Sequence, residues 1–334
     1  MATEAARERL VLAGDVGGTH SRLALCAVGA GAPRPTVVEI IPSRSAATFG
    51  EILTLFRARH PEPVAAACIG IAGPVVGGRV TASNLPWTVE AGSLAKILGL
   101  PRVDLINDLE ANALGIDALG PKDFAVLRAG RPDPEGGGAL ISAGTGLGEA
   151  GLSRGPRGFL PIRSEGGHAD FAPRGDLQIE LLEFLTREFG HVSWERLLSG
   201  PGLFNIYRFL RDTGRGTEPA WLADELRAGD PPAVVSRAAE EGKSELCGAA
   251  LDLFVSLYGA EAGNLALKFL ATGRVYLGGG IAPRLLERLR APEFLRAFSD
   301  KGRLKPLLDA MPVAVILADQ AALLGAARRA ASDA

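Results

Sequence analysis

Asp108 closes a short apolar run, Val103 to Ile106, and opens a helical pattern with Leu109, Ala113, Leu114 and Ile116 on one side. A strand end that delivers a polar pair, here Asn107-Asp108, to a helix start is where α/β folds place ligands. A carboxylate there can take a proton from a bound hydroxyl within hydrogen-bond reach. The bland alternative is a helix cap, since Asp and Asn are both favoured at helix starts. A second carboxylate, Asp15, ends the strand pattern Leu10 to Asp15. The turn Val16-Gly-Gly-Thr19 and the returning strand Ser21 to Val28 complete a hairpin. The backbone N–H groups of such a turn, from Gly14 through Asp15, Val16, Gly17 and Gly18 to Thr19, can cradle phosphate oxygens. Asp15 could hold Mg²⁺ through water, because that ion usually keeps several of its waters. No Gly-Lys-Ser/Thr opens a helix here, so this is not a Walker loop.

The same plan returns at Ala139 to Leu152: an apolar strand, the turn Gly144-Thr145-Gly146, then a second strand. No helical pattern follows its Gly-x-Gly-x-Gly, which argues against a dinucleotide fingerprint. Two such units suggest a duplicated architecture whose hairpins pinch one phosphate chain. Gly278-Gly279-Gly280 runs from a strand into the helix Arg284 to Leu289, a suitable seat for a nucleotide or simply a tight strand–helix turn. In Asn84-Leu-Pro-Trp87 the Asn could bond a sugar hydroxyl and the Trp cover the sugar's apolar face, or Trp87 could anchor the core. Glu165 and His168 flank two glycines, a loop able to approach a ligand closely. Glu195 sits in a first helical turn, where the helix dipole favours a carboxylate in any case. With four histidines and no ligand spacing, zinc is a poor fit.

The elements that must position these residues follow from periodicity. Thr48 to Arg59 has the apolar spacing of a helix, and Val64 to Ala72 is a continuous apolar strand of the kind buried on both faces. Pro121 to Glu135 reads as a loop. A helix is expected from the cap Asp176 to Gly190, and another from Ser193, broken by Ser199-Gly-Pro-Gly202 and followed by one over Leu203 to Arg211. Leu246 to Leu270 is expected to be the clearest amphipathic helix. Val313 to Leu317 reads as a late strand and Gln320 to Ala330 as a closing helix.

A chain of 334 residues points to two domains. A net charge of −2 shows no basic surplus for nucleic acid, and no like-charge block suggests a tail. Cys26, Cys68 and Cys247 have no metal or redox spacing and are expected to be buried reduced thiols in a cytoplasmic protein. The first ten residues lack the apolar core of a signal peptide, and the least polar run, Val64 to Val76, is too short to cross a membrane.

With these motifs in order, the chain resembles the bacterial glucokinases, as distinct from the repressor-linked sugar kinases. The resemblance spans nearly the whole length. It rests on Gly14-Asp-Val-Gly-Gly-Thr19, Ser83-Asn-Leu-Pro-Trp87, Asn107-Asp108, Ser142-Ala-Gly-Thr-Gly-Leu-Gly148 and Glu165-Gly-Gly-His-Ala-Asp-Phe-Ala-Pro173. It rests also on His191-Val-Ser-x-Glu-Arg-x-Leu-Ser-Gly-Pro-Gly202 and Gly278-Gly-Gly-Ile-Ala-Pro-Arg284. The resemblance implies an α/β, two-domain, actin-like ATPase (ribonuclease H-like) sugar kinase fold with a cleft between the lobes. A smaller domain, 1–117, would be completed by the C-terminal helix 318–334, with a larger domain at 118–317. It implies ATP-dependent phosphorylation of glucose at the 6-hydroxyl, with Asp108 as the base. Asn107, Glu165, His168 and Glu195 would hold the other hydroxyls, with Asn84 nearby. The two hairpins would hold ATP and Mg²⁺, and the Gly278 turn, with Gly279 and Gly280, would border the adenosine. A homodimer is likewise an expectation taken from the family. His20 stands where the family usually has Asn.

A kinase of another hexose or amino sugar is the nearest rival. From a different class come a sugar-sensing regulator and an ATPase switch without transfer. A regulator would need a DNA-binding helix pair, and nine residues before the first strand leave no room for one there. A filament or chaperone-type ATPase would lack the clustered Asn107, Asp108, Glu165, His168 and Glu195.

Overall fold

The computed structural model describes residues 9–29, 31–82, 85–156 and 158–332. They form two units: 1–123 with 155–161 and 318–334, and 124–154 with 162–317.

The first unit opens with the hairpin β1 (Arg9–Val16) and β2 (His20–Val28), which β3 (Arg34–Pro42) extends at the edge. Helix α1 (Phe49–Arg59) follows, its Thr48 cap accepting the Glu51 N–H. Strand β4 (Ala66–Ile71) then pairs parallel to β1. A small three-stranded sheet, β5 (Val75–Val76), β6 (Arg79–Thr81) and β7 (Thr88–Glu90), leads through α2 (Ala91–Leu98) to β8 (Asp104–Asn107), parallel to β4, and then α3 (Asp108–Gly115). Sheet order is β3-β2-β1-β4-β8. Alternation along β1 sends Leu12 and Val16 into the core beneath α1 and α2, while Val11 and Ala13 face a second core. Burial on both faces is why β1 and β4 read as unbroken apolar runs.

The second unit begins with β9 (Phe124–Arg128). Next along the chain come β10 (Gly138–Ala143), β11 (Leu147–Gly155) and β12 (Gly158–Ile162), of which residues 155–161 are counted with the first unit. Five helices follow: α4 (Gly175–Phe189), α5 (Gly200–Asp212), α6 (Ala220–Ala228), α7 (Pro231–Glu240) and α8 (Glu245–Lys268). Strand β13 (Arg274–Gly278) leads into the short helices α9 (Ile281–Arg284), α10 (Leu286–Arg290), α11 (Pro292–Ser299) and α12 (Lys305–Ala310), and then β14 (Val313–Ile316). The sheet runs β12-β11-β10-β13-β14-β9. Strand β10 is antiparallel to β11 and parallel to β13, which is parallel to β14. Apart from β9 this is the order of the first sheet, so the duplication suggested by the two Gly-rich turns is present in the topology. The chain then returns to the first unit as α13 (Ala321–Ala331), whose Ala322, Leu323, Ala326 and Ala327 complete the core of Val11 and Ala13.

Four expectations need correction. Phe124–Arg128 is a strand, not loop, paired antiparallel with β14 at the sheet edge. Ser199-Gly-Pro-Gly202 starts a helix, because Ser199 Oγ accepts the Gly202 N–H at 3.0 Å and Pro201 stands where no N–H is needed. Helix α4 starts at Gly175, so Asp176 lies inside its first turn instead of capping it. Helix α8 is long and apolar enough to cross a bilayer, yet it is mostly buried within the second unit, with no broad polar face.

Candidate active site

In the first unit, β8 carries the apolar run inward and ends on Asn107. Asn107 takes the capping role that Asp108 might have filled: its Oδ1 accepts the Leu109 N–H at 2.8 Å. Its Nδ2 donates to the Gly73 carbonyl at 3.1 Å, tying the loop after β4 to the start of α3. Asp108 is the first helical residue, and its Oδ1 also accepts the Leu109 N–H, at 2.9 Å. The carboxylate therefore sits at the positive end of the helix dipole.

Asp15, at the end of β1, feels both Asp108 and Asp319. Burial first, then these two carboxylates, pushes its carboxyl up to about 6, against the pull of Arg22. Arg22 lies 3.8 Å from Asp15 and bonds Asp319 at 3.0 Å. Asp15, with Asp108 and Asp319 acting on it and Arg22 as the opposing charge, sits in a field that suits a cation. Among the described residues, no three His, Cys, Asp or Glu side chains gather to hold a metal unaided, so such an ion would depend on water and phosphate oxygens.

The turn after β1 is closed by the Gly17 N–H on the His20 carbonyl at 3.0 Å. Sequence reasoning missed its buttress. Buried Ser43 donates through Oγ to the Gly17 carbonyl at 2.7 Å, and its N–H bonds the Thr19 carbonyl at 2.9 Å. A serine straight after the strand-ending Pro42 was the available signal. The His20 side chain is exposed. Trp87 is a core residue beside Phe49, ring centroids 6.2 Å apart, so it is not available to cover a sugar. Asn84 lies outside the described residues.

In the second unit four segments meet around the first residues of β11. Gly144 to Gly146 form the turn, with the Gly144 N–H on the Gly146 carbonyl at 2.8 Å. Glu195 reaches it: its Oε2 accepts the Leu147 N–H at 2.9 Å. A Cβ on Gly146 would lie 2.5 Å from that oxygen, so a glycine is needed for the approach. The Gly200 N–H bonds the Gly144 carbonyl at 2.8 Å, anchoring the turn to the start of α5. From another side the Glu165–His168 loop comes so close that a Cβ on Gly167 would strike the Leu147 carbonyl. That loop is joined to the Glu195 segment by Trp194 N–H to Ala169 carbonyl at 3.0 Å, and by Phe171 edge-on to Trp194 at 5.0 Å. Gly279, at φ +78°, presses on Ala143 at the base of the turn. Glu165, His168, Thr145, Gly279 and Gly280 are exposed, and Glu195 is half-buried. Asp15, Asn107 and Asp108 thus gather in the first unit, and Gly144–Gly146, Glu165, His168, Glu195 and Gly279 in the second.

Comparison with known proteins decides the family. Residues 12–333 match the glucokinase family. A glucokinase of Nostoc sp. is 41% identical over 95% of this chain and 98% of its own length. The chain belongs to the glucokinase family. A glucokinase of Yersinia pestis is 38% identical over 94% of both chains. Among solved structures, glucokinase from an Antarctic psychrotroph superposes with a TM-score of 0.84 at 30% identity, covering 97% of this chain and 99% of that one. The α/β architecture is that of the actin-like ATPase sugar kinases.

Proposed function

We propose that this glucokinase-family chain transfers the γ-phosphoryl group of ATP to the 6-hydroxyl of glucose, with Asp108 as general base. The supporting observation is the strand-to-helix junction, where Asn107 caps α3 and leaves Asp108 oriented at the helix start. Phosphoryl transfer asks for positioning and charge neutralisation more than covalent chemistry. Asp108 accepts the 6-hydroxyl proton as the oxygen attacks. Glu165, His168 and Glu195 hold the other hydroxyls, as does the part of Asn107 not engaged with backbone; Asn84 belongs to the same set. Each hydroxyl matched this way excludes sugars that would leave a buried partner unsatisfied. Backbone N–H groups at Gly14–Thr19 and Gly144–Gly146 hold the phosphates, and Gly279-Gly280 borders the adenosine. Asp15 would hold Mg²⁺ through water, and the ion would supply charge neutralisation to the phosphates.

The same reading makes the protein a cytoplasmic homodimer, with residues 1–117 and 318–334 as one domain and 118–317 as the other. The buried thiols of Cys26, Cys68 and Cys247 support a reducing setting, and light scattering of the purified protein tests the dimer.

ADP release measured over a panel of hexoses and amino sugars tests the substrate. Asp108→Ala tests the base: kcat is expected to fall on the order of 10²- to 10⁴-fold while calorimetry still registers glucose binding. Near-normal turnover with sugar bound would remove Asp108 from that role.

A further inference from the structure

Beneath the Glu165–His168 loop lies a pair of acids that the mechanism above does not use. Glu149, on β11, is 1% exposed, and Glu261, on α8, is fully buried. Glu261 acts on the Glu149 carboxyl both as a charge and as a hydrogen-bonding group, and each effect favours a proton on Glu149. Two buried carboxyls that act on each other in this way strongly disfavour being ionised together, so one holds a proton. The surrounding donors show which one carries it. Asn264 Nδ2 donates to one Glu261 oxygen at 2.7 Å, and Lys268 Nζ lies 3.3 Å from the other. Lys301 backs this arrangement through Asn264 Oδ1 at 2.6 Å and the Ala260 carbonyl at 2.9 Å. Neither Glu149 oxygen receives a donor from any described residue. Glu261 is therefore the charged member, and Glu149 the acid that donates to it.

The other side of the Glu149 carboxyl bears the loop. A Cβ on Gly166 would collide with Glu149 Oε2 and lie 3.1 Å from its Cδ, so the Gly166 backbone rests directly on the acid. Gly166 stands between Glu165 and His168, and its own N–H bonds Ser164 Oγ at 2.8 Å.

We infer that Glu149 is a positioning residue for glucose: its neutral carboxyl is the floor on which the Glu165–His168 loop rests, and loss of that proton unseats the loop. The inference rests on the reading that this loop holds the sugar. Among the described residues, the titratable groups acting on or acted on by Glu149 are Glu261, Lys268 and, along α8, Tyr258, with Lys301 acting on Glu261; the loop packed on it carries Glu165 and His168 on either side of Gly166. Burial first, then Glu261, raises the Glu149 carboxyl well above the ordinary carboxylate range, while Lys268 opposes. The proton therefore survives at neutral pH and leaves on the alkaline side. Ionisation would put a second charge against Glu261 and an unsolvated anion under Gly166, which the loop can relieve only by admitting water.

Two measurements test this. The first is KM for glucose against pH in the wild type, Glu149→Gln and Glu149→Leu. Wild-type KM should climb above neutrality toward a limiting slope of about tenfold per pH unit, with kcat moving less. Glu149→Gln keeps a neutral donor for Glu261, so its KM should stay at the wild-type low-pH value throughout. Glu149→Leu should raise KM at every pH, with the glutamine variant as the rescue. A glutamine variant that repeats the wild-type climb overturns the inference, as does a folded leucine variant with wild-type KM. The second is hydrogen exchange of the peptide spanning 162–172, wild type against Glu149→Gln at matched pH, which stands even if the leucine variant fails to fold. Alkaline loosening in the wild type alone supports the inference. Equal exchange in both proteins overturns it. Loosening without any change in KM keeps the seating role and strikes down the sugar role of the loop instead.

Discussion

Asp15 sits where a carboxylate without a cation is unfavourable, and that gives it a measurable signature. Its carboxyl is raised to about 6, mainly by burial and then by Asp108 and Asp319. The folded state thus holds this proton more tightly than the unfolded chain does. Between the ordinary Asp value of 3.8 and about 6, stability falls as pH rises, and above that the whole loss is in place. Asp15→Asn removes the charge and leaves Arg22 bonded to Asp319. The variant should therefore gain roughly 2 kcal/mol at pH 7, discounted for partial exposure, or about 5 °C in Tm. Near pH 4 the gain should vanish. Its kcat should drop on the order of 10²-fold through lost phosphate and metal positioning. Thermal melts of both proteins across that pH range, without and with Mg²⁺, check the sign. A variant less stable than wild type at pH 7 would mean that Asp15 is satisfied by the protein alone.

At the scale of elements, the turn after β10 and the segment from Glu195 to Gly200 behave as one piece, joined at Leu147 N–H and at Gly144 carbonyl. Gly144 and Gly146 then become separable. A Cβ on Gly144 meets nothing of the protein within 4 Å, whereas one on Gly146 presses 2.5 Å from Glu195 Oε2. Gly144→Ala should raise KM for ATP and leave that for glucose unchanged. Gly146→Ala should raise both, glucose by about tenfold, because Glu195 is pushed off its N–H. An unmoved glucose KM in the second variant would detach Glu195 from the sugar. The two Gly-rich hairpins were readable because turn chemistry is local: Gly-Gly and Gly-Thr-Gly between apolar runs leave few other conformations. Strand β9 was not readable, since five residues between Gly120-Pro121 and Gly130 look like loop until β14 supplies their partner. Ser199-Gly-Pro-Gly202 is ambiguous as sequence because Gly is enriched just past helix ends and Pro at helix starts, and the deciding feature is Ser199 Oγ accepting the Gly202 N–H. Glu149 left only a faint trace, a carboxylate on the inward parity of a strand. What faces it is set by α8, more than a hundred residues further along the chain.

At the scale of the whole molecule, the order of the chain makes the first unit depend on its last helix. Ala322, Leu323, Ala326, Ala327 and Ala330 of α13 cover a face made by Val11, Ala13, Ala24, Cys26, Cys68 and Ile106. The two helices α13 and α3 are in backbone contact: a Cβ on Gly325 would strike the Ala111 carbonyl, and one on Gly115 the Ala321 carbonyl. Polar groups fix the register, with Arg328 donating to the Leu114 carbonyl at 2.8 Å and pairing with Asp117 at 3.0 Å, and Arg329 pairing with Asp104 at 2.7 Å. Asp108 is the first residue of α3, so whatever displaces α3 displaces the proposed base. Gly325→Ala should therefore cost on the order of 2 kcal/mol by overpacking and lower kcat more than KM for glucose. Deleting 318–334 should go further, exposing the apolar sheet face and leaving the first unit unable to fold. The second unit's core cluster contains none of the deleted residues, so it should survive. Limited proteolysis with mass spectrometry is the check. The truncated chain should yield resistant fragments confined to 124–317, while the full-length chain resists throughout. A truncated chain whose residues 9–123 resist as before would show that the sheet of the first unit needs no cover from α13, and the link from that helix to Asp108 would then fall with it.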